Sequence, residues 1–361
     1  MWRLKDIVVL LLFCMNALCA LLFLLSCMAP FISPAAVWIF AFFGLAFPAL
    51  LFVNILWLPF WLIFKRRFML ISGVVLLLGA WNISSQFAWK TCHSVKVPEN
   101  SFSVMSFNVK VFDLYSWTQN TASKDHILQI IKNLQPDILC IQEFYTDNDK
   151  FNTLEELRKI YPYYYFHKTV TIEEVHQWGI ATFSKFPIAG EELIPFRNSL
   201  HNTCIASDIV INEDTVRVFN AHLQSVYFNQ EDYEDVKNLM ERQLEKVPLL
   251  KSFGKLKVAF EKRAVQAELL RNRIETSSYK AIVCSDFNDT PNSYAYRTIS
   301  KGLLDSFLES GCGFGLTYTG PYPFLRIDYI LTDPGIKPLA NKTQWNYSSD
   351  HFAAYGIFKK P

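Results

Sequence analysis

Up to about residue 90 the chain is dominated by long apolar stretches; beyond it, short apolar runs alternate with amphipathic and polar segments. Three stretches in the first part, about residues 7–28, 36–60 and 68–87, each approach the ~20 residues that cross a bilayer core. The first two carry no charge, the second contains Pro48 and Pro59, and the third grows polar toward Asn82-Ile83-Ser84-Ser85-Gln86. They predict three transmembrane helices, because a soluble domain rarely houses three such stretches in succession. Arg3 and Lys5 precede the first, Lys65-Arg66-Arg67 separates the second from the third, and the connection Ala29–Pro34 is uncharged. Basic loops stay cytoplasmic, so an odd number of crossings delivers everything after about residue 90 to the outer face of a bacterial-type plasma membrane.

Residues 1–90 thus form a membrane anchor, residues 91–100 a polar linker, and residues 101–361 a second domain. A competing reading takes Leu24-Leu25-Ser26-Cys27 as a lipoprotein cleavage motif; the first stretch is long for a signal segment, and the second domain would still face outward. In that domain Ser103–Val111, Ile138–Ile141, Gly179–Phe183, Ala281–Ser285, Ile327–Thr332 and Ala353–Phe358 read as strands. Ala206–Ile211 and Thr215–Ala221 read as a hairpin turning through Asn212-Glu213-Asp214. Lys124–Leu134, Thr153–Ile160 and Leu256–Glu275 carry helical spacing. Strands paired by hairpins and also separated by helices predict an α/β domain with mixed sheets covered by helices.

Composition sharpens this only locally. The apolar fraction of 51% and mean hydropathy of +0.14 reflect the leader, and a net charge of +2 excludes a general polyanion binder. Of eight cysteines, Cys14, Cys19 and Cys27 lie in the leader, and Cys140 and Cys284 sit in buried strands as small hydrophobes. No CxxC pair points to structural zinc, and spacing does not choose a pairing among Cys92, Cys204 and Cys312. Residues 224–280 are long for one connection, with Glu231, Asp232, Glu234 and Asp235 early and Lys251, Lys255, Lys257, Lys262, Arg263, Arg271 and Arg273 later. They read as solvated charged helices, with a basic surface for phosphate or headgroups as the sharper alternative.

The chemistry gathers at strand ends. Glu143 closes an apolar run and suits a hard cation, Mg²⁺ with Mn²⁺ as the alternative. Asp286 and Asn288 follow Ala281-Ile282-Val283-Cys284 at i and i+2; they suit positioning water and a phosphate oxygen, or else an Asx turn before Pro291. Asp328 and His351 form a pair in which the carboxylate orients the imidazole as a base. Asp350 adds a further metal-ligand candidate, His222 a donor to charge building on a phosphoryl oxygen, and Asn108 an orienting amide. Such a set fits metal-assisted hydrolysis of a phosphate ester.

Ser106-Phe107-Asn108, Gln142-Glu143, Asn220-Ala221-His222-Leu223, Ser285-Asp286-Phe287-Asn288, Arg326-Ile327-Asp328-Tyr329 and Ser349-Asp350-His351 together resemble the endonuclease/exonuclease/phosphatase superfamily across residues 101–361. The resemblance implies a four-layer α/β sandwich of two mixed sheets. It implies Mg²⁺ on Glu143 with Asn108 and Asp350 nearby, and water and phosphate positioned by Asp286 and Asn288. By the same likeness His351 is the base, oriented by Asp328, and His222 stabilises the transition state. One departure is Lys110, where nuclease members often carry an acid. The expectation is therefore an anchored Mg²⁺-dependent phosphoesterase, acting on nucleic acid or on a phospholipid or its headgroup. The rival expectation is a non-catalytic binding module on the same fold.

Overall fold

The computed structural model describes residues 4–90, 98–115, 122–197, 199–226, 249–320 and 325–360. The leader forms α1 (Leu4–Met28), α2 (Ile39–Phe64), α3 (Met69–Leu78) and α4 (Ala80–Ser84). Among the described residues, two helices are long and apolar enough to cross a membrane, over Leu4–Phe31 and Ile39–Phe64. The expected third transmembrane helix is corrected here. Its stretch breaks at Gly79 into α3, of 10 residues, and α4, of 5, each too short to span alone. Glycine is a poor helix interior, and the stretch is also the most polar of the three.

These helices pack through Ala20, Phe23, Phe47 and Val75. A buried polar chain pins their register. Trp61 Nε1 donates to Asn16 Oδ1 (2.9 Å), Asn16 Nδ2 to Ser72 Oγ (2.7 Å), and Ser72 Oγ to Asn54 Oδ1 (3.4 Å). Between apolar helices such hydrogen bonds fix which faces meet.

The second part contains α5 (Ser123–Leu134), α6 (Thr153–Arg158), α7 (Leu249–Glu275), α8 (Tyr294–Ser300) and α9 (Ser306–Ser310). Its strands are β1 (Ser101–Asn108), β2 (Ile138–Thr146), β3 (Tyr163–Ile172), β4 (His176–Ser184), β5 (Ile188–Pro195), β6 (Thr203–Ile211), β7 (Asp214–His222), β8 (Lys280–Asp286), β9 (Leu304–Asp305), β10 (Asp328–Thr332), β11 (Pro338–Gln344) and β12 (Ala353–Lys359). They make two six-stranded mixed sheets, ordered β11-β12-β1-β2-β4-β3 and β5-β6-β7-β8-β10-β9.

Period-two alternation sorts the side chains into layers. Phe102, Val104, Ile138 and Cys140 of one sheet meet Val216, Val218, Ile282, Cys284 and Ile330 of the other. The alternate residues Met105, Phe107, Leu139 and Ile141 turn outward to pack with Ile127, Leu128 and Ile131 of α5. Phe219, Ala221 and Val283 do the same against Ala267, Leu270 and Ile274 of α7 and Ile299 of α8. The order is helix, sheet, sheet, helix: the four-layer α/β sandwich that the resemblance implies.

Followed along the strands, the inward rows turn from apolar to polar. Phe102 and Val104 lead to Ser106 and Asn108, Val216 and Val218 to Asn220 and His222, and Ile282 and Cys284 to Asp286. Between the sheets Gln142 Nε2 donates to Asn220 Oδ1 (2.8 Å), and Asn220 Nδ2 to the Ala181 carbonyl (2.9 Å). The sandwich is therefore greasy at one end and hydrogen-bonded at the other.

The two parts touch at that polar end. Asn292 Nδ2 donates to the Ser26 carbonyl (2.9 Å), and Asn82 Nδ2 donates to Asn292 Oδ1 (2.7 Å). A Cβ on Gly44 would lie 2.7 Å from the Asn292 carbonyl oxygen, so only glycine admits this approach. Arg326 Nη2 donates to the Ser85 carbonyl (2.9 Å), and Ala88 exchanges backbone hydrogen bonds with Gly313. Cys312 is disulfide-bonded, whereas Cys204 is buried and free. Cys92, most of the linker, and the early acids Glu231, Asp232, Glu234 and Asp235 lie outside the described residues.

Ile282 is fully buried between the sheets. Ile282→Ala should cost about 2–5 kcal/mol, the usual range for such a truncation. Chemical denaturation of the full chain in mild detergent reads this directly.

Candidate active site

Strand pairing places the chemical groups at one level. In the second sheet His222 of β7 is in register with Asp286 of β8, and Asp286 with Asp328 of β10. In the first, Asn108 of β1 lies opposite Gln142 of β2. Glu143 comes next, and simple alternation would turn it outward. A bulge between Ile141 and Phe144 intervenes, with Glu143 at φ 51°, and carries its carboxylate to the inner side. A glutamate in the left-handed region is strained, and strain of this kind collects at functional sites.

Asp286 Oδ2 is the hub. Asn108 Nδ2 donates to it at 2.9 Å and to Glu143 Oε1 at 3.1 Å. The Lys110 backbone N–H, donating to Asn108 Oδ1 at 2.9 Å, fixes which way that amide points. His222 Nε2 lies 3.6 Å from Glu143 Oε1 and 3.7 Å from Asp286 Oδ2, and is buried without a hydrogen-bond partner. His351 Nε2 lies 3.7 Å from the same Asp286 oxygen, while its Nδ1 meets Asp328 Oδ2 at 3.0 Å. Two imidazoles thus flank one carboxylate.

Loops complete the shell. Val109 begins a departure from the strand, and Lys110, Val111, Phe112 and Asp113 all take positive φ, so β1 ends at Asn108 and not at the expected Val111. Ser349 Oγ donates to the Asn108 carbonyl (3.0 Å) and accepts from the His351 N–H (3.1 Å). The Thr317 hydroxyl accepts from the Asp328 N–H (3.0 Å), and the Tyr318 ring meets His351 edge-on at 5.0 Å. Asn288, at φ 53°, donates its backbone N–H to Asp286 Oδ1 (2.8 Å), the Asx turn, and its Nδ2 to the Leu223 carbonyl (3.1 Å).

Of the eight residues expected at the site, Asn108, Glu143, His222, Asp286, Asp328 and His351 converge side by side. Asn288 borders them. Asp350 pairs with Lys110 Nζ at 2.9 Å. Two contributors escaped the sequence reading. Lys110, in sequence terms only a departure from the family pattern, balances Asp350 with its ammonium. Arg263 of α7 is buried, donates to the Asn288 carbonyl and lies 3.3 Å from Asp289 Oδ2. Its position among Ala259, Phe260, Ala264 and Ala267 on the buried face of α7 was the available signal.

Electrostatics follow from burial and crowding. Desolvation raises the Glu143 carboxyl above its usual range, against the Asn108 hydrogen bond, and pushes Asp286 up to about 6, with His351 opposing and Asp328 adding. Desolvation lowers His222. Burial works against the His351 charge too, but Asp328, then Asp286 and Asp350, carry it up to about 10. Two carboxylates sharing one amide donor in a desolvated pocket make a donor set that fits a hard, oxygen-ligated cation. Asp286, Asp328 and His351 also bring ligand atoms within 4.8 Å of one another. In that group His351 Nδ1 and Asp328 already satisfy each other; Glu143 lies outside it, beside Asp286 on the shared Asn108 amide.

Two mixed sheets packed face to face, with acids, amides and histidines converging at one end, define an α/β sandwich with a polar site between its sheets. Residues 105–351 match the Endonuclease/Exonuclease/phosphatase family, and the chain belongs to that family. Residues 9–86 match a Domain of unknown function (DUF8431). No curated protein matches the chain. Among solved structures it is similar to the endonuclease/exonuclease/phosphatase from Beutenbergia cavernae DSM 12333, with 18% identity, 72% of each chain covered and a TM-score of 0.52. It is similar to that from Bacteroides vulgatus, with 16% identity, 72% of this chain and 99% of the other covered, and a TM-score of 0.52. It is also similar to humanized D. rerio TDP2, at 14% identity, 72% and 99% coverage, and a TM-score of 0.50. At these identities the likeness is one of fold.

His201, between β5 and β6, has its pKa lowered to about 4 by burial and then by His222. The folded state therefore binds fewer protons than the unfolded one, whose value is 6.5. Its contribution is intact above that value and is lost as pH falls toward 4. His201→Gln should flatten the acid loss of stability by roughly 1–3 kcal/mol between these limits, at ~1.4 kcal/mol per pH unit before relaxation. Denaturation midpoints measured at pH 7 and pH 4.5 test this; an unchanged difference would sink it.

Proposed function

We propose that the chain is a membrane-anchored, Mg²⁺-dependent phosphoesterase that cleaves a phosphodiester or phosphomonoester by in-line attack of water. The observation that carries this reading is the Asp328–His351 pair, whose free Nε2 faces the Asp286 hub. Asp328 holds Nδ1–H, leaving Nε2 to take the proton from water. Asp286 accepts from that water, and the Asn288 turn keeps its carboxylate aimed. His222, unpartnered at Nε2 and buried, donates to the phosphoryl oxygen as charge builds there. Bound to Glu143 beside Asn108 and Asp350, a divalent cation would supply positive charge that polarises the phosphoryl group and offsets the carboxylates raising His351. Substrate is a nucleic acid or a phospholipid or its headgroup.

The same reading divides the chain into an anchor (1–90), a linker (91–100) and a catalytic domain (101–361), the last on the outer side of a plasma membrane. Support comes from the helix ends. Ser26, Gly44 and Asn82 lie together beside Asn292, opposite the basic Lys65-Arg66-Arg67 end of α2. The kinked α3–α4 pair returns the chain to the outer end although it is no continuous helix. A disulfide at Cys312 suits an oxidising compartment.

Full-length protein in detergent should hydrolyse bis(p-nitrophenyl) phosphate or p-nitrophenyl phosphate with Mg²⁺ and stop with EDTA. His351→Ala should lower turnover by at least ~10²-fold, and His222→Ala by ~10²–10³-fold. A His351→Ala enzyme of near-normal rate would remove the base assignment. A wild type inert toward both esters favours the binding-module alternative.

A further inference from the structure

We infer that the substrate is a phosphate ester carried by a lipid of the outer leaflet, cleaved in place at the bilayer surface. This rests on the phosphoesterase reading above and adds a substrate class to it. The argument is one of height. A bilayer core takes ~20 helical residues. The ~20 residues after Lys5 end at Leu25, and the ~20 residues ending at Phe64 begin at Leu45. Ser26 and Gly44, each one residue beyond those limits, both touch Asn292. Asn292 therefore sits at the outer edge of the hydrocarbon.

Asn288 is four residues away, and four residues span at most ~14 Å even fully extended. Asn288 is hydrogen-bonded to Asp286. The headgroup layer itself is roughly 5–8 Å deep on each side. The catalytic carboxylate thus lies in or just above the layer where lipid phosphates already reside.

Two further ties hold the site at this height. Arg326 grips Ser85 two residues before Asp328. Gly313 pairs with Ala88, and the chain runs from there to Thr317 under Asp328 and Tyr318 beside His351. The site is braced against the helix ends and does not swing on a tether. The first half of α7 leans on the same rim, with Phe253 against Phe42 (5.5 Å) and Lys257 over Trp38 (5.3 Å), a pairing of aromatic and basic residues suited to the interface.

The test uses full-length protein reconstituted in vesicles of phosphatidylethanolamine, phosphatidylglycerol and phosphatidic acid with Mg²⁺. Lipid products and released phosphorus are measured, with bis(p-nitrophenyl) phosphate and plasmid DNA as parallel substrates. Lipid-phosphate cleavage that disappears in His351→Ala is expected. If the aryl ester or the plasmid is cleaved while the lipids stay intact, the lipid inference is overturned and the phosphoesterase reading survives. If no substrate is cleaved, that reading fails with it.

Asn82→Ala, outside the catalytic set, removes one brace on Asn292. It should lower lipid turnover by ~10-fold while aryl-ester turnover changes less than about threefold, because misplacement penalises only the substrate held at fixed height. An equal fall in both rates, or a fall in neither, overturns the bracing argument.

Discussion

One side-chain amide closes the site. Asn108 Nδ2 reaches Glu143 on its own sheet and Asp286 on the opposite one. Those two carboxylates repel each other, and each is poorly solvated where it lies. Sheet packing brings them together, and the amide makes that approach tolerable by giving both a shared donor. Everything else is arranged around this compromise: the bulge that turns Glu143 inward, the left-handed turn after Asn108 that fixes the amide, and the two imidazoles that flank Asp286. The pocket gathers more carboxylates than the charges around it offset, the condition on which the proposed cation would depend.

How much of this was legible in the sequence depends on where a strand lies in its sheet. The central strands β1, β2, β7, β8, β10 and β12 were read from apolar runs because both of their faces are buried. β3, β5 and β11 were missed, and each is an edge strand with mostly partly exposed side chains. Such strands meet water along one side and carry no continuous apolar signal. The strand-end acids and histidines that converge were visible as a set because each closes or follows an apolar strand run. What the sequence concealed was pairing. Nothing in the spacing shows Lys110 meeting Asp350, Arg263 reaching back to Asn288, or Asn292 gripping a helix end. The third leader stretch was misjudged because hydropathy counts apolar residues and takes no account of the break that Gly79 introduces.

The polar end of the sandwich and the outer end of the helical unit share one contact region. Asn292 belongs to the loop that begins at Asp286, and Arg326 to the segment that leads into Asp328. The elements that shape the loops around the site therefore also carry the junction between the two parts. Removing the leader would uncover Asn292 and Arg326 and leave Gly313 without its backbone partner Ala88, so the two parts behave as one structural unit.

The in-register row His222, Asp286 and Asp328 has a consequence for which changes in chain length the protein tolerates. Successive strand residues face opposite sides, so gaining or losing one residue within Lys280–Asp286 would turn Asp286 toward α7 and bring Ser285 or Phe287 inward. The sheet core is in this sense a counted length. Insertions belong where no count is kept, in the connections outside the paired strands. Length variation there leaves the register of the chemistry untouched.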